Sequence, residues 1–281
     1  MPIEVKNLTH VFGAGTPNAF TAVEDVSLTI NDGEFVAIIG HTGSGKSTFI
    51  QHLNALLQPT SGSVLVDGMD CADKKLRREI RRRVGMVFQY PEYQLVEETV
   101  EKDIEFGPKN LGFPPEKLSG CAKAAMERVG LDPEKFAPLS PFELSGGEKR
   151  KVAIAGMIAA EPETLVLDEP MAGLDPAGRN EIIELLRELN AGGMTIIIVS
   201  HDMDGVCDAA GRVIVFNSGK MELDGTVREV FGQCQRLQEM GLDIPAAARV
   251  AQKLRSRGME LPEDILTLAE LCSAVEKARC K

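Results

Sequence analysis

No apolar stretch in this chain approaches the ~20 residues that a membrane-spanning helix needs. The longest, such as Val152 to Ala160 and Thr195 to Val199, are far shorter. Action at a membrane would therefore require another chain to supply the spanning part. The opening residues Met-Pro-Ile-Glu-Val lack the basic-then-apolar order of a signal peptide. Six cysteines (Cys71, Cys121, Cys207, Cys234, Cys272 and Cys280) lie scattered, without a C-x-x-C pair or a His/Cys cluster. That pattern argues against a metal site and fits reduced thiols in a cytosolic protein. Positive charge is in the minority: 31 Lys and Arg face 42 Asp and Glu, for a net charge of −11. Binding of nucleic acid or anionic lipid over the whole surface is thus disfavoured. There is no internal repeat, low-complexity tract or heptad insertion. What remains is an ordinary globular composition, 43% hydrophobic and 26% charged over 281 residues. It is long enough for one large α/β domain with a small appendage.

The first third is rich in β-branched residues and reads as strands at 3–11, 23–30 and 34–39, with Asn31-Asp32-Gly33 as a tight turn between the last two. Ser63–Val66 followed by Asp67-Gly68 suggests another hairpin arm. From residue 75 onward, helical segments alternate with short apolar runs at 84–88, 164–167 and 195–200. Continuous apolar runs fit strands buried on both faces of a parallel sheet. The expected architecture is an α/β sheet with an antiparallel β subdomain. In the last fifty or so residues, Thr226-x-x-Glu229 and Thr267-x-x-Glu270 have capping-box spacing, and Pro245 and Gly258 bracket a further helix. This region has no chemical motif and reads as a helical interaction element.

Gly40-His41-Thr42-Gly43-Ser44-Gly45-Lys46-Ser47-Thr48 fits G-x-x-x-x-G-K-[ST] in full, after the apolar strand 35–39 and before a helix-like segment, 49–57. Glycines let backbone N–H groups turn inward around phosphate oxygens, and the helix N-terminus adds partial positive charge. Lys46 would reach the β- and γ-phosphates of a nucleotide, and the Ser47 hydroxyl would ligate Mg²⁺. Asp168 and Glu169 end the apolar run 164–167, at the edge where open α/β sheets bind ligands. Taken alone an acidic pair there is a solvated turn; with the P-loop upstream, Asp168 becomes a Mg²⁺ ligand and Glu169 the group that polarises the attacking water. Leu144-Ser145-Gly146-Gly147-Glu148 precedes a helical segment, 149–160, and has capping-box spacing of its own. A capped helix start preceded by glycines is equally an anion site.

Leu-Ser-Gly-Gly between these two phosphate motifs resembles the signature sequence of ABC ATPases. Gln89 matches the family's Q-loop glutamine, which senses Mg²⁺ and the attacking water while touching a membrane partner. Ala172-Gly173-Leu174-Asp175 resembles the D-loop, and His201 matches the switch histidine at the γ-phosphate. Phe12 stands where an aromatic stacks on adenine, with Phe20 a weaker alternative and a core role open for either. The resemblance implies a P-loop ABC ATPase fold with a mostly parallel core sheet, an antiparallel β subdomain, a helical subdomain at about 90–160 and a small helical C-terminal appendage. Residues 1–225 would form the nucleotide-binding domain and residues 226–281 a dimerisation or interaction region.

In this family two ATPases pair head to tail. Ser145, Gly146 and Gly147, flanked by Leu144 and Glu148, would hold the nucleotide bound by the partner's P-loop. Lys46, Ser47, Gln89, Asp168, Glu169 and His201 would act on ATP and Mg²⁺ in their own chain. Phe88–Leu95, Thr99-Val100, Asp103-Ile104, Phe106-Gly107-Pro108, Ser140–Glu143 and Ala153–Gly156 are similar to energy-coupling factor transporter ATPases. His41-Thr42 and Gly15-Thr16-Pro17 point to the second of the two ATPases in that system, and the metal-transport version resembles it almost as well. Implied partners are a related ATPase, a transmembrane coupling protein and a separate membrane substrate-binding protein, with no nucleic acid. The implied location is peripheral, on the cytoplasmic face of the cell membrane. An ATPase of another ABC importer and a soluble, non-transport ABC ATPase are the rival readings.

Three departures stand out. Glu148 replaces the usual Gln of the signature, Met171 stands where Thr is usual, and Lys149-Arg150-Lys151 is altered, with Arg150 or Lys151 available for helix–phosphate electrostatics. The basic run 74–83 reads as a solvated helix face, with contact to lipid headgroups or a membrane partner as the alternative.

Overall fold

A computed structural model describes residues 2–279. Strands β1 (Ile3–Phe12), β2 (Phe20–Ile30) and β3 (Phe35–Ile39) lead into helix α1 (Lys46–Leu53). Then follow β4 (Ser61–Val66), β5 (Met69–Asp70), α2 (Arg77–Arg83) and β6 (Val84–Val87). The middle of the chain forms α3 (Val100–Asn110), α4 (Pro115–Arg128), α5 (Pro133–Phe136) and α6 (Gly146–Ile158). Next come β7 (Thr164–Asp168), α7 (Pro176–Ala191), β8 (Thr195–Val199), α8 (Met203–Ala209), β9 (Arg212–Asn217) and β10 (Lys220–Thr226). Four helices close the chain: α9 (Val227–Phe231), α10 (Cys234–Glu239), α11 (Ala246–Arg255) and α12 (Leu268–Arg279).

The strands form two sheets. An antiparallel sheet runs β2-β1-β4-β5, and a six-stranded sheet runs β10-β9-β3-β8-β7-β6, parallel except for β10. Every residue of β3, β6, β7 and β8 is buried, so these strands lack the polar alternation of a sheet with a wet face. Alternate side chains serve two cores. Phe35, Ala37, Leu165, Leu167, Ile196 and Ile198 pack with the helical segments α3, α4, α6 and α7. Val36, Ile38, Val166 and Ile197 pack instead with Phe49, Ile50 and Leu53 of α1 and with the antiparallel sheet.

Asp67 and Gly68, both at positive φ, close the β4–β5 hairpin as anticipated. The turn at Asn31–Gly33 differs from a hairpin. β2 and β3 belong to different sheets, and the turn carries the chain from one to the other, anchored by Gly33 N–H donating to Thr195 Oγ1 at 2.9 Å. The tail is helical: both capping boxes form, Pro245 precedes α11, and Gly258 follows it at φ +92°. Part of the tail, including Phe231, Ile244 and Ala248, joins the main core, while Ala251, Leu261 and Leu271 belong to a small core of their own. No helix among the described residues is long and apolar enough to cross a membrane.

Candidate functional site

The P-loop follows from a strand that ends at Ile39 and a helix that starts at Lys46 with no side-chain cap, leaving its first N–H groups for an anion. Gly45 sits at φ +100°, and a Cβ there would lie 2.3 Å from Ala22 O, so only glycine lets the loop pass. Lys46 Nζ donates to Gly40 O at 2.6 Å and His41 O at 2.9 Å, folding back over the loop. Burial pulls its pKa down, opposed by the carboxylates of Glu169 and Asp168. His41 is held to the end of β9, with Nε2 3.1 Å from Asn217 Oδ1. Ser44 Oγ is buried and unpaired, a polar atom within the loop left without a protein partner.

β7 and β8 are paired in parallel register, Asp168 opposite Val199, which brings their C-terminal ends together. Asp168 hydrogen-bonds the Ser47 hydroxyl; burial raises its pKa, countered by that bond and by Lys46. Glu169 turns away from the strand at φ +52°, an uncommon left-handed conformation for a non-glycine residue. Its Oε2 accepts from His201 N–H at 3.3 Å, and its Oε1 lies 3.1 Å from His201 Nε2. Burial lifts the Glu169 carboxyl to about 7, with Asp168 adding to the rise. Burial lowers the His201 pKa, and Lys46 lowers it further. Gln89, Glu169, Met171 and His201 line one cavity of about 400 Å³. Among the described residues no three His, Cys, Asp or Glu gather as a metal cluster. One carboxylate and one hydroxyl beside a phosphate cradle is nevertheless the donor set Mg²⁺ takes, since it keeps waters and substrate phosphates as its other ligands.

The signature residues stand apart from this convergence, and none of 144–148 lines that cavity. Ser145 caps α6 in a complete capping box with Glu148, whose carboxylate is held below its ordinary range by the Ser145 hydroxyl and N–H. Asp175 caps α7, accepting from Gly178 N–H at 2.7 Å. Phe12 and Phe20 face each other in register at the end of the β1–β2 pair, and both are exposed, which removes the core reading. Phe12 is steadied by the edge of His10, ring centroids 4.5 Å apart.

A profile of the ABC transporter family matches residues 23–172. The chain belongs to the ABC transporter family of ATPases. It is 53% identical to the energy-coupling factor transporter ATP-binding protein EcfA2 of Clostridium perfringens, over 98% of this chain and 97% of that one. It is 56% identical to the EcfA2 protein of Clostridioides difficile, over 96% and 95%. Among solved structures, CbiO1 of Clostridium perfringens, described as part of the ABC transporter complex CbiONQ, aligns with a TM-score of 0.75 at 35% identity, over 90% of this chain and 98% of that one. A dimeric ATP-binding cassette in a post-hydrolysis state with ADP and phosphate bound aligns with a TM-score of 0.72 at 31% identity, over 80% and 99%. These comparisons place the chain with the ATP-hydrolysing subunits of energy-coupling factor transporters.

Some features were not legible in the sequence. Arg150 turns into the protein, where its guanidinium is taken up by protein acceptors. It is 2% exposed and donates to Pro170 O, Ala172 O and Glu92. Lys151 pairs instead with Glu181 on α7. Asp243, Ile244 and Arg249 from the motif-free tail line the Glu169–His201 cavity, which no local signal announced. Much of the basic run 74–83 is engaged within the protein: Arg81 binds Ala55 O, Arg82 lies over Phe113, and Arg83 pairs with Asp67 and Glu79. Five described cysteines are free thiols, with Cys71 and Cys207 pushed up to about 12 by burial; Cys280 lies outside the described residues.

Proposed function

We propose that this chain hydrolyses MgATP with the residues that meet around the end of β7, and that it does so as half of a head-to-tail pair with a related ATPase. The observation that carries the reading is the convergence of Lys46 and Ser47 on Asp168, with Glu169 held against His201 beside Gln89. Ser47, Asp168 and Gln89 would hold Mg²⁺, which when bound neutralises charge on the transferred phosphoryl group. Lys46 and the uncapped start of α1 bind the β- and γ-phosphates. Glu169 orients and deprotonates the attacking water, and its burial sets a pKa suited to a base near neutral pH. His201 positions Glu169 and contacts the γ-phosphate. Phe12 presents a flat apolar face for adenine.

In the pair, Ser145, Gly146 and Gly147 hold the nucleotide bound by the partner, and Asp175 lies at the interface. ATP bridges both chains and favours the closed state, and hydrolysis removes the bridge. Residues 1–225 act as the nucleotide-binding domain, with a helical subdomain at about 90–160, and residues 226–281 as the pairing element. Opening and closing drive a transmembrane coupling protein docked beside Gln89 on the cytoplasmic face of the membrane. A separate membrane protein captures the vitamin or transition-metal ion. Identity to EcfA2 proteins over nearly the whole chain supports this assembly. It is tested by purifying the tagged chain from detergent-solubilised host membranes and identifying its companions by mass spectrometry. A second ATPase, one coupling protein and several small membrane proteins are expected. A single dedicated permease pair would overturn the energy-coupling factor assembly while leaving the ATPase chemistry in place.

A further inference from the structure

Arg150 carries a charge that is 98% shielded from water, yet it lies outside the phosphate site. Its position is set by α6, whose N-terminus carries the signature, and its guanidinium reaches in two directions. Nη1 donates to Pro170 O at 2.7 Å and to Ala172 O at 2.9 Å, the backbone immediately after Glu169 that leads into Asp175. Nη2 donates to Glu92 Oε2 at 3.1 Å. Glu92 belongs to a single 3₁₀ turn, Pro91–Gln94, that starts two residues after Gln89 and is entered through Tyr90 at φ +56°.

One side chain thus joins the helix that presents the signature, the segment after the catalytic carboxylates, and the turn beside Gln89. The planar fork of arginine suits this, because its donors point along fixed, divergent directions, whereas lysine offers a single point charge. Burial makes the link stiff. A guanidinium out of water that loses Glu92 is left with an uncompensated charge, so the turn and Arg150 move together or not at all. Arg150 Nε already lacks a partner, so the buried guanidinium has more donors than it has acceptors within reach, and a lost Glu92 oxygen adds to that deficit.

We infer that Arg150 is a positioning residue that transmits the nucleotide state of the Glu169–Asp175 segment to the Gln89–Gln94 turn. This rests on the proposed ATPase reading, in which that turn faces the membrane partner. The exposed Tyr93, next to Glu92, is the surface such motion would displace.

The test is hydrogen exchange of the full-length chain with and without ATP and Mg²⁺, in the hydrolysis-blocked Glu169→Gln background. ATP is expected to change exchange in residues 89–94 by at least about threefold in the parent, and by under about 1.5-fold after Arg150→Lys or Glu92→Gln. Adding both changes is expected to do no more than either alone. ATP affinity stays within about twofold of the parent in every variant, because neither side chain touches the phosphate site. Glu92→Gln is nearly isosteric and leaves both carbonyl bonds of Arg150 in place, so it reports even if Arg150→Lys misfolds. A purely structural role predicts lower thermal stability with the ATP response of the turn intact, and that result overturns the inference. So does a parent whose turn ignores ATP; in that case phosphate release by the wild-type chain paired with its partner ATPase still decides the ATPase reading separately.

Discussion

Replacing Glu169 by Gln is expected to make the protein more stable and nearly inactive at once. Burial lifts the Glu169 carboxyl from an ordinary value of 4.5 to about 7. The folded state therefore holds that proton more tightly than the unfolded chain does. This contribution to stability is fully present below pH ~4.5 and is lost as pH rises through ~7. At 1.36 kcal/mol per tenfold change in proton affinity, the full loss is roughly 3 kcal/mol at pH 8. The side chain keeps 13% of its surface in water, so we expect a gain of about 2 kcal/mol for Glu169→Gln at pH 8 and under about 1 kcal/mol at pH 5. Urea unfolding at both pH values, with chelator and without nucleotide, measures it. The same substitution removes the proposed base, so phosphate release by the assembled pair should fall 10²- to 10⁴-fold while ATP binding persists and the closed dimer accumulates. Equal stability of the two proteins at pH 8 would refute the burial reasoning. Wild-type phosphate release by the variant would refute the assignment of Glu169 as base.

Three further outcomes follow from the same geometry. Lys46→Ala should weaken ATP binding by about 100-fold or more in equilibrium titration, since it removes the cation folded over the P-loop carbonyls. Phe12→Ala should cost roughly 1 kcal/mol of ATP affinity, about fivefold, with Phe12→Tyr near wild type; unchanged binding in Phe12→Ala would release this residue from adenine contact. Glu270 accepts from Leu266 N–H at 2.9 Å and Thr267 N–H at 3.1 Å and pairs with Arg228, and these bonds hold its carboxyl down at about 2. Its stabilisation is present above pH ~4.5 and lost as pH falls toward 2. Because Arg228 is 60% exposed, solvent screening reduces that stabilisation to about 1 kcal/mol, which Glu270→Gln should remove at pH 7 but not at pH 2 in urea melts.

The chemistry was legible because phosphate binding constrains residue type and order within a few positions. A glycine loop, a lysine and a carboxylate pair keep their spacing in sequence wherever the sheet places them. The strands were equally plain, since β3, β7 and β8 are buried on both faces and so are continuously apolar. What spacing does not encode is which elements meet. Asn31-Asp32-Gly33 has the composition of a hairpin turn, yet the partners of β2 and β3 lie elsewhere in the chain. Nothing next to Arg150 in the sequence marks it as a buried link, because its three acceptors are 20, 22 and 58 residues away. Asp243 and Arg249 reach the Glu169–His201 cavity through contacts distant in sequence: Asp204, three residues after His201, accepts the Ala246 N–H that opens α11, and Ile244 and Ala248 join the main core.

Glu148 shows how a departure from the usual signature is absorbed. A carboxylate near a transferred phosphate costs electrostatic energy if it points at the phosphate. Here it does not, since Oε2 accepts from both the N–H and the hydroxyl of Ser145. The same bonds occupy the Ser145 hydroxyl proton, the donor that a partner's phosphate would need. The Ser145 and Glu148 side chains are thus satisfied within the capping box, and on the proposed reading the Gly146 and Gly147 N–H groups at the start of α6 would be the part left to bind an anion. If Ser145 holds a partner's nucleotide as proposed, it would exchange one charged acceptor for another. That exchange is nearly balanced, because both acceptors are anionic oxygens. The capping box therefore holds the start of α6, and on the proposed head-to-tail reading the glutamate serves the helix without opposing a partner's nucleotide.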